Sequence, residues 1–228
     1  MSRSKQTRPR AIRAADRVRD PREPRGADDV SRTRAVLRAL KELGVEVSES
    51  PRADKNDRAW SLPRIVESRP RSGYHHPASK SDVARVLRFF GEECVYGLQA
   101  VELRQGVPGE GLCLGRLIVP GRVILFDQLP APWRLRGVAD QGLDRLRAAG
   151  SRIEQLDGTG ILAHWPDNSL KHFMLFDVLM HEVGHHLLQH HKGKRLARVA
   201  RTSDHEASAT AFARRCRAAF DESGGGVA

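Results

Sequence analysis

Apolar positions along the chain alternate between helical and strand-like spacing. The first stripe begins after Asp29, where DDVSRTRAVLRALKELG places Val36, Leu37, Leu40 and Leu43 on one helical face. Asp29 or Ser31 is suited to cap its start and Gly44 to end it. A polar stretch, VEVSESPRADKNDR, follows as a loop after a short strand. SRPRSGYHHPASK is a second loop, ending near a cap at Ser79 or Ser81. SDVARVLRFFGEE predicts a short amphipathic helix that turns Val83, Val86, Leu87 and Phe90 inward. Residues 94–129 have β character. Two apolar runs, 117–119 and 123–126, flank Pro120-Gly121, which is a hairpin signal.

The segment APWRLRG leads into an amphipathic helix over 140–149. Two short strands are expected around Asp157-Gly158, the second over 161–165, followed by a turn and cap at 166–169. Residues 170–191 form one long predicted helix. Ten of the sixteen residues from Phe173 to Leu188 are apolar and surround the helix, so it is expected to be buried. A last helix, over 203–220, presents Ala207, Ala211, Phe212 and Cys216 as its apolar stripe. No internal repeat is present.

The order of these elements predicts an α+β fold with four parts: a disordered basic arm over 1–28, a helix-and-loop part over 29–92, a main domain over 93–222 and a flexible tail over 223–228. The arm carries nine Lys or Arg by Arg25, and no aromatic residue precedes Trp60. Such a segment buries too little apolar surface to offset its ordering entropy.

Composition narrows the function classes. The chain has 228 residues, 39% of them hydrophobic, which suffices for one domain with a real core plus a tail. No stretch approaches the ~20 apolar residues that span a bilayer, and the first twenty residues lack the apolar core of a secretory signal. Cys94, Cys113 and Cys216 are odd in number and widely spaced. They indicate neither a disulfide framework nor a cysteine zinc site, and a cytoplasmic, reducing compartment is expected. The net charge of +11 fits a polyanionic partner such as nucleic acid or an acidic protein, and equally fits simple solubility in an Arg-rich chain.

Five of the ten histidines lie in MHEVGHHLLQHH, residues 180–191. Within it, His181, Glu182 and His185 form the pattern His-Glu-x-x-His. On a helix, positions i and i+4 share a face, so two imidazoles can reach one zinc ion. Glu182, one position on, can reach a water on that ion and act as general base. Placing these polar groups in a buried helix is costly without such a purpose. A catalytic zinc takes a third protein ligand and keeps a fourth position open. Glu206, 21 residues after His185, is the favoured third ligand, with His205 and Asp204 as adjacent alternatives. Small residues at 207, 208, 209 and 211 would let this helix approach the first closely.

Together, LMHEVGHHLLQHH and DHEASATAFARR resemble the gluzincin metallopeptidases, and most closely the ImmA/IrrE-like metallopeptidases. The resemblance spans roughly residues 94 to 220, with the two helical motifs as its specific part. Thr210-Ala211-Phe212-Ala213 is a looser form of the family's Ala-x-Phe-Ala element, and position 208 is Ser where the family usually has a further acid. The resemblance implies a zincin-like fold, a small mixed or antiparallel sheet packed on the active-site helix and a following ligand helix. It also implies zinc ligands at His181, His185 and Glu206, with Glu182 as base. The function it implies is a zinc-dependent endopeptidase acting on a protein substrate. Two other readings are a nucleic-acid-associated zinc module with a basic arm, and a structural zinc site without proteolysis.

Further expectations surround the motif. Asp177, four residues before His181, is either a solvated charge or an acceptor that orients that ring. Gly184 marks a close approach of another element. His186, His190 and His191 are expected at the surface near the helix end. His164, His75, His76 and Tyr74 are candidates to polarise a carbonyl. ILAHW, residues 161–165, is expected to be an edge strand to which a peptide substrate adds by main-chain pairing. Lys192, Lys194, Arg195, Arg198 and Arg201 form an acid-free run that is either a solvated face or a contact for an anionic partner.

Overall fold

The structure is a computed structural model that describes residues 61–107, 112–158, 160–191 and 203–224. The expected arm, the helix after Asp29, the basic run 192–201 and the end of the tail lie outside the described residues. What is described is a mixed α+β arrangement with two small sheets.

The first sheet is built from β1 (Arg64–Glu67), β2 (Ala100–Arg104), β3 (Gly115–Ile118) and β4 (Arg122–Phe126), in the order β1-β2-β4-β3. β1, β2 and β4 run parallel, while β3 folds back antiparallel onto β4 through the expected turn at Pro120-Gly121. A parallel pair needs a crossover, and between β1 and β2 it is made by α1 (Lys80–Phe90) and α2 (Glu92–Val95). Ser79 caps α1 in a capping box with Asp82, and Val83, Val86, Leu87 and Phe90 are buried as the spacing predicted. Cys94 and Val95, expected in β structure, belong instead to the one-turn helix α2, and the strand starts at Ala100.

The second sheet is antiparallel and contains β5 (Trp133–Arg136), β6 (Arg152–Gln155) and β7 (Gly160–His164), in the order β5-β7-β6. The α3 helix (Asp140–Ala148) connects β5 to β6. The hairpin at Asp157-Gly158 is as expected. β7 is not an edge strand, however: it is bonded to β5 on one side and β6 on the other. The strand that displaces it from the edge, β5, is a four-residue WRLR whose alternation is too short to register against the loop around it.

After β7 the chain enters α4 (Ser169–His172), a π-helical segment over Phe173–Met180, and α5 (His181–His191). The long helix is therefore present, but its middle two turns are wound more widely than α. Every residue of the π segment except Asp177 is buried. Phe173 stacks on Trp165, which meets Trp133 of the second sheet at 5.1 Å between ring centroids. Phe176 meets Phe220 of α6 (Ser203–Glu222) at 5.2 Å, and Phe220 in turn meets Phe89 of α1. Burying each such ring contributes about 1.5–3 kcal/mol, so this apolar column ties both sheets and α6 to the segment that precedes the His-Glu-x-x-His motif. The first sheet lies against the same column. A Cβ at Gly115 of β3 would come within 2.6 Å of the Val178 side chain, so only glycine allows this approach. No helix of the described residues is long and apolar enough to cross a membrane.

Candidate metal centre

His181 and His185 open α5 one turn apart, and both are buried. Their rings meet edge to face, with the two Nε2 atoms 3.1 Å apart. Glu206, in the first turn of α6, straddles the pair: its Oε2 lies 3.3 Å from Nε2 of His181 and its Oε1 lies 3.3 Å from Nε2 of His185. The histidine side chains are almost fully enclosed, whereas that of Glu206 is 46% exposed. The group thus has a closed floor and an open rim.

The close crossing of α5 and α6 brings Glu206 within reach. A Cβ at Gly184 would meet Ala209 Cα at 3.1 Å and Phe212 Cδ1 at 3.2 Å, so the two helices touch where neither carries bulk. The sequence expectation of a close approach at Gly184 is met here. One turn beyond Glu206, the Thr210 hydroxyl lies 3.4 Å from Nδ1 of His181. With the ring proton on Nδ1, facing Thr210, Nε2 presents its lone pair to His185 and Glu206.

The donor set is suited to a metal ion. One donor atom each from His181, His185 and Glu206 lies within 4.8 Å of the other two. Tetrahedral ligands with bonds of ~2.0–2.1 Å stand ~3.3–3.4 Å apart, close to the 3.1 Å and 3.3 Å separations found. Two imidazoles and a carboxylate are the nitrogen and oxygen donors that zinc takes. His205 is not part of this converging group among the described residues.

Glu182 is buried beside the pair, and its Oε2 accepts the backbone N–H of Leu117 at 2.9 Å. Leu117 lies on β3, which among the described residues is bonded to β4 on one side only. The carboxylate therefore sits between the motif helix and the open edge of the first sheet. Neither the Leu117 N–H nor Thr210 was singled out from sequence. A backbone donor leaves no trace in residue identity, whereas Thr210 could have been found as the residue one helical turn after Glu206.

Several expectations are corrected. Asp177 does not orient His181. Its carboxylate accepts from Arg217 of α6 at 3.1 Å, and its backbone carbonyl accepts from Arg145 of α3. The four-residue step loses its meaning because the π segment has a wider turn. Burial raises the pKa of Asp177, while Arg217, Arg145 and Arg214 oppose the rise. His186 is not at the surface but buried, with Nε2 3.0 Å from the carbonyl oxygen of Tyr96. The side chains of His190 and His191 lie outside the described residues. His164 pairs with Glu154 across the second sheet, His76 with the Ser68 carbonyl, and His75 bridges to Gln128 through its backbone. Tyr74 lies under the Arg71 guanidinium at 3.7 Å. None of the three histidines belongs to the converging group.

Compared with protein-family models, curated proteins and solved structures, the chain shows no match.

Proposed function

We propose that the chain is a zinc-dependent endopeptidase with a zincin-like fold of the gluzincin kind, acting in a reducing, cytoplasmic compartment on a protein substrate. The observation that carries this reading is the convergence of His181, His185 and Glu206, with Glu182 between the same helix and β3, an edge strand among the described residues. The resemblance of both helical motifs to ImmA/IrrE-like metallopeptidases supports it, as do the three free cysteines, two of them buried.

His181, His185 and Glu206 would hold the ion, and Thr210 would fix the ring of His181. Zinc supplies Lewis acidity, polarising a carbonyl and making a water easier to deprotonate. Glu182 takes the proton of the attacking water and passes it to the leaving amine. The Leu117 N–H bonds one carboxylate oxygen of Glu182 and so holds its orientation. An extended peptide adds to the open edge of β3 rather than to β7, with main-chain bonds laying it across the mouth of the site.

The test combines metal content with proteolysis of an unfolded protein. Wild type should carry one zinc per chain and cut. Glu182→Gln should keep the zinc and lose ~10²–10⁴-fold in rate, and His185→Ala should lose the metal. Purified chain without stoichiometric zinc, or a Glu182→Gln variant as active as wild type, sinks the reading.

A further inference from the structure

The second sheet carries a separate charged feature on its outer face. Along β5, Trp133 is buried and Leu135 packs against the core, so the alternation of a strand turns Arg134 and Arg136 the other way. Both arginines are exposed, and the side chain of neither makes an ion pair or hydrogen bond among the described residues. This sets them apart from Arg71, Arg104, Arg122 and Arg217, each of which meets a carboxylate. Together with Leu156, Asp157 and Gly160, the two arginines line a cavity of about 180 Å³ that opens to solvent. Arg136 is registered against Gly160, so no side chain on β7 fills the space in front of it.

Two residues apart on one strand face, the guanidinium groups are rooted about 7 Å from each other. Each offers a planar fork of donors that matches an oxyanion. Asp157 also has no partner among the described residues. Two guanidinium groups against one carboxylate leave a single net positive charge, which favours a singly charged oxyanion over a dianion. The carboxylate also accepts from a hydroxyl or amine beside that oxyanion. A phosphodiester in a nucleic acid strand has one charge and has such donors next to it. A concave lining suits a single strand, which can bend a phosphate inward. The surplus of 39 Lys and Arg over 28 Asp and Glu in the whole chain supplies long-range attraction.

We propose that this cavity binds a phosphodiester of a single-stranded nucleic acid, gripped by Arg134 and Arg136. The proposal is independent of the metal centre. Its test is a fluorescence-anisotropy titration of the full chain with short single-stranded DNA and RNA of one sequence, across a salt series. The variant Arg134→Gln with Arg136→Gln keeps most of each side-chain stem, and its fold is checked by thermal melting. Arg64→Ala with Arg88→Ala removes the same charge from exposed positions on β1 and α1. The cavity variant should bind about tenfold or more weakly at low salt, and its slope of log K against log salt should be shallower by about 1.4, the share of two phosphate contacts on a single strand. The control pair should change the slope less. Equal effects from both pairs, or an unchanged cavity variant, overturn the proposal, and the DNA and RNA arms report which sugar is accepted.

Discussion

The Thr210 hydroxyl faces Nδ1 of His181 from 3.4 Å, on the side of the ring away from Glu206. A partner in this position fixes both the tautomer and the orientation of a metal-binding imidazole, and its loss typically weakens metal affinity 10–100-fold. Thr210→Val should therefore lower zinc affinity by about that range while leaving the melting temperature of the metal-free chain nearly unchanged. Thr210→Ser should restore the affinity. Competition with a chromophoric chelator measures both. If Thr210→Val and wild type bind zinc equally, Thr210 has no positioning role.

Gly184 is where α5 and α6 touch. Alanine there gains about 1 kcal/mol of helix propensity, but its methyl meets the backbone of Ala209 at 3.1 Å, which no rotamer change can relieve. Overpacking of this kind costs about 1–3 kcal/mol. Gly184→Ala should thus be neutral to destabilising in urea, and by pushing α6 outward it should reduce zinc occupancy more than stability. A variant more stable than wild type with full occupancy would show that the crossing has slack.

Asp127 binds the loop after β1 to the loop after β2. Its carboxylate accepts from the Arg71 backbone and guanidinium and from the Gly106 N–H, and its side chain is fully buried. Burial alone would raise its pKa, but the bonds from Arg71 and Gly106 bring it below the ordinary carboxylate value. A lowered folded-state pKa means stability that is present above the unfolded pKa of ~3.9 and lost as pH falls through the folded one. Asp127→Asn should cost about 2–4 kcal/mol at pH 7. Its deficit relative to wild type should shrink below about pH 4, as read from urea midpoints across a pH series. A pH-independent deficit would mean that shape rather than charge is at stake.

Asp177 and Arg217 show the opposite sign. Burial holds the Asp177 pKa above its ordinary value despite the guanidinium at 3.1 Å. Stability from such a group is fully present below the unfolded pKa and falls as pH rises through the folded one. Arg217→Ala removes the opposing charge and should cost about 1–2 kcal/mol at neutral pH, with less lost near pH 4. Adding Asp177→Asn to it should recover most of the loss. Differential scanning calorimetry at two pH values distinguishes wild type from the single and the double variant.

The parts of the fold and site that could be read from the sequence were those set by local periodicity. The α1 stripe, the Pro120-Gly121 hairpin and the burial of the motif helix all follow from spacing within a dozen residues. The pairing of His181 with His185 is likewise a property of one helix, and Glu206 could be named because the motif that carries it is short. Strand order could not be read, because whether β7 lies at an edge depends on where the four-residue β5 docks. The partner of Asp177 was missed because a residue on α6 competes for it, and its geometric relation to His181 changes with helix type. His186 was placed at the surface by its chemistry, but the chain near Tyr96 covers it.

Helix type also determines which way the motif faces. The segment from Phe173 to Met180 is held by aromatic contacts on several sides, so its rotation about the helix axis is locked before α5 begins. Each residue added to or removed from an α-helix turns everything downstream by about 100°. The extra width of the π winding is therefore an angular offset between the apolar column and the motif. Rewinding these eight residues as α would leave their sequence unchanged, yet it would turn His181 and His185 about the helix axis relative to the column. The bearing of the candidate metal centre thus depends on a segment that contributes none of its ligands.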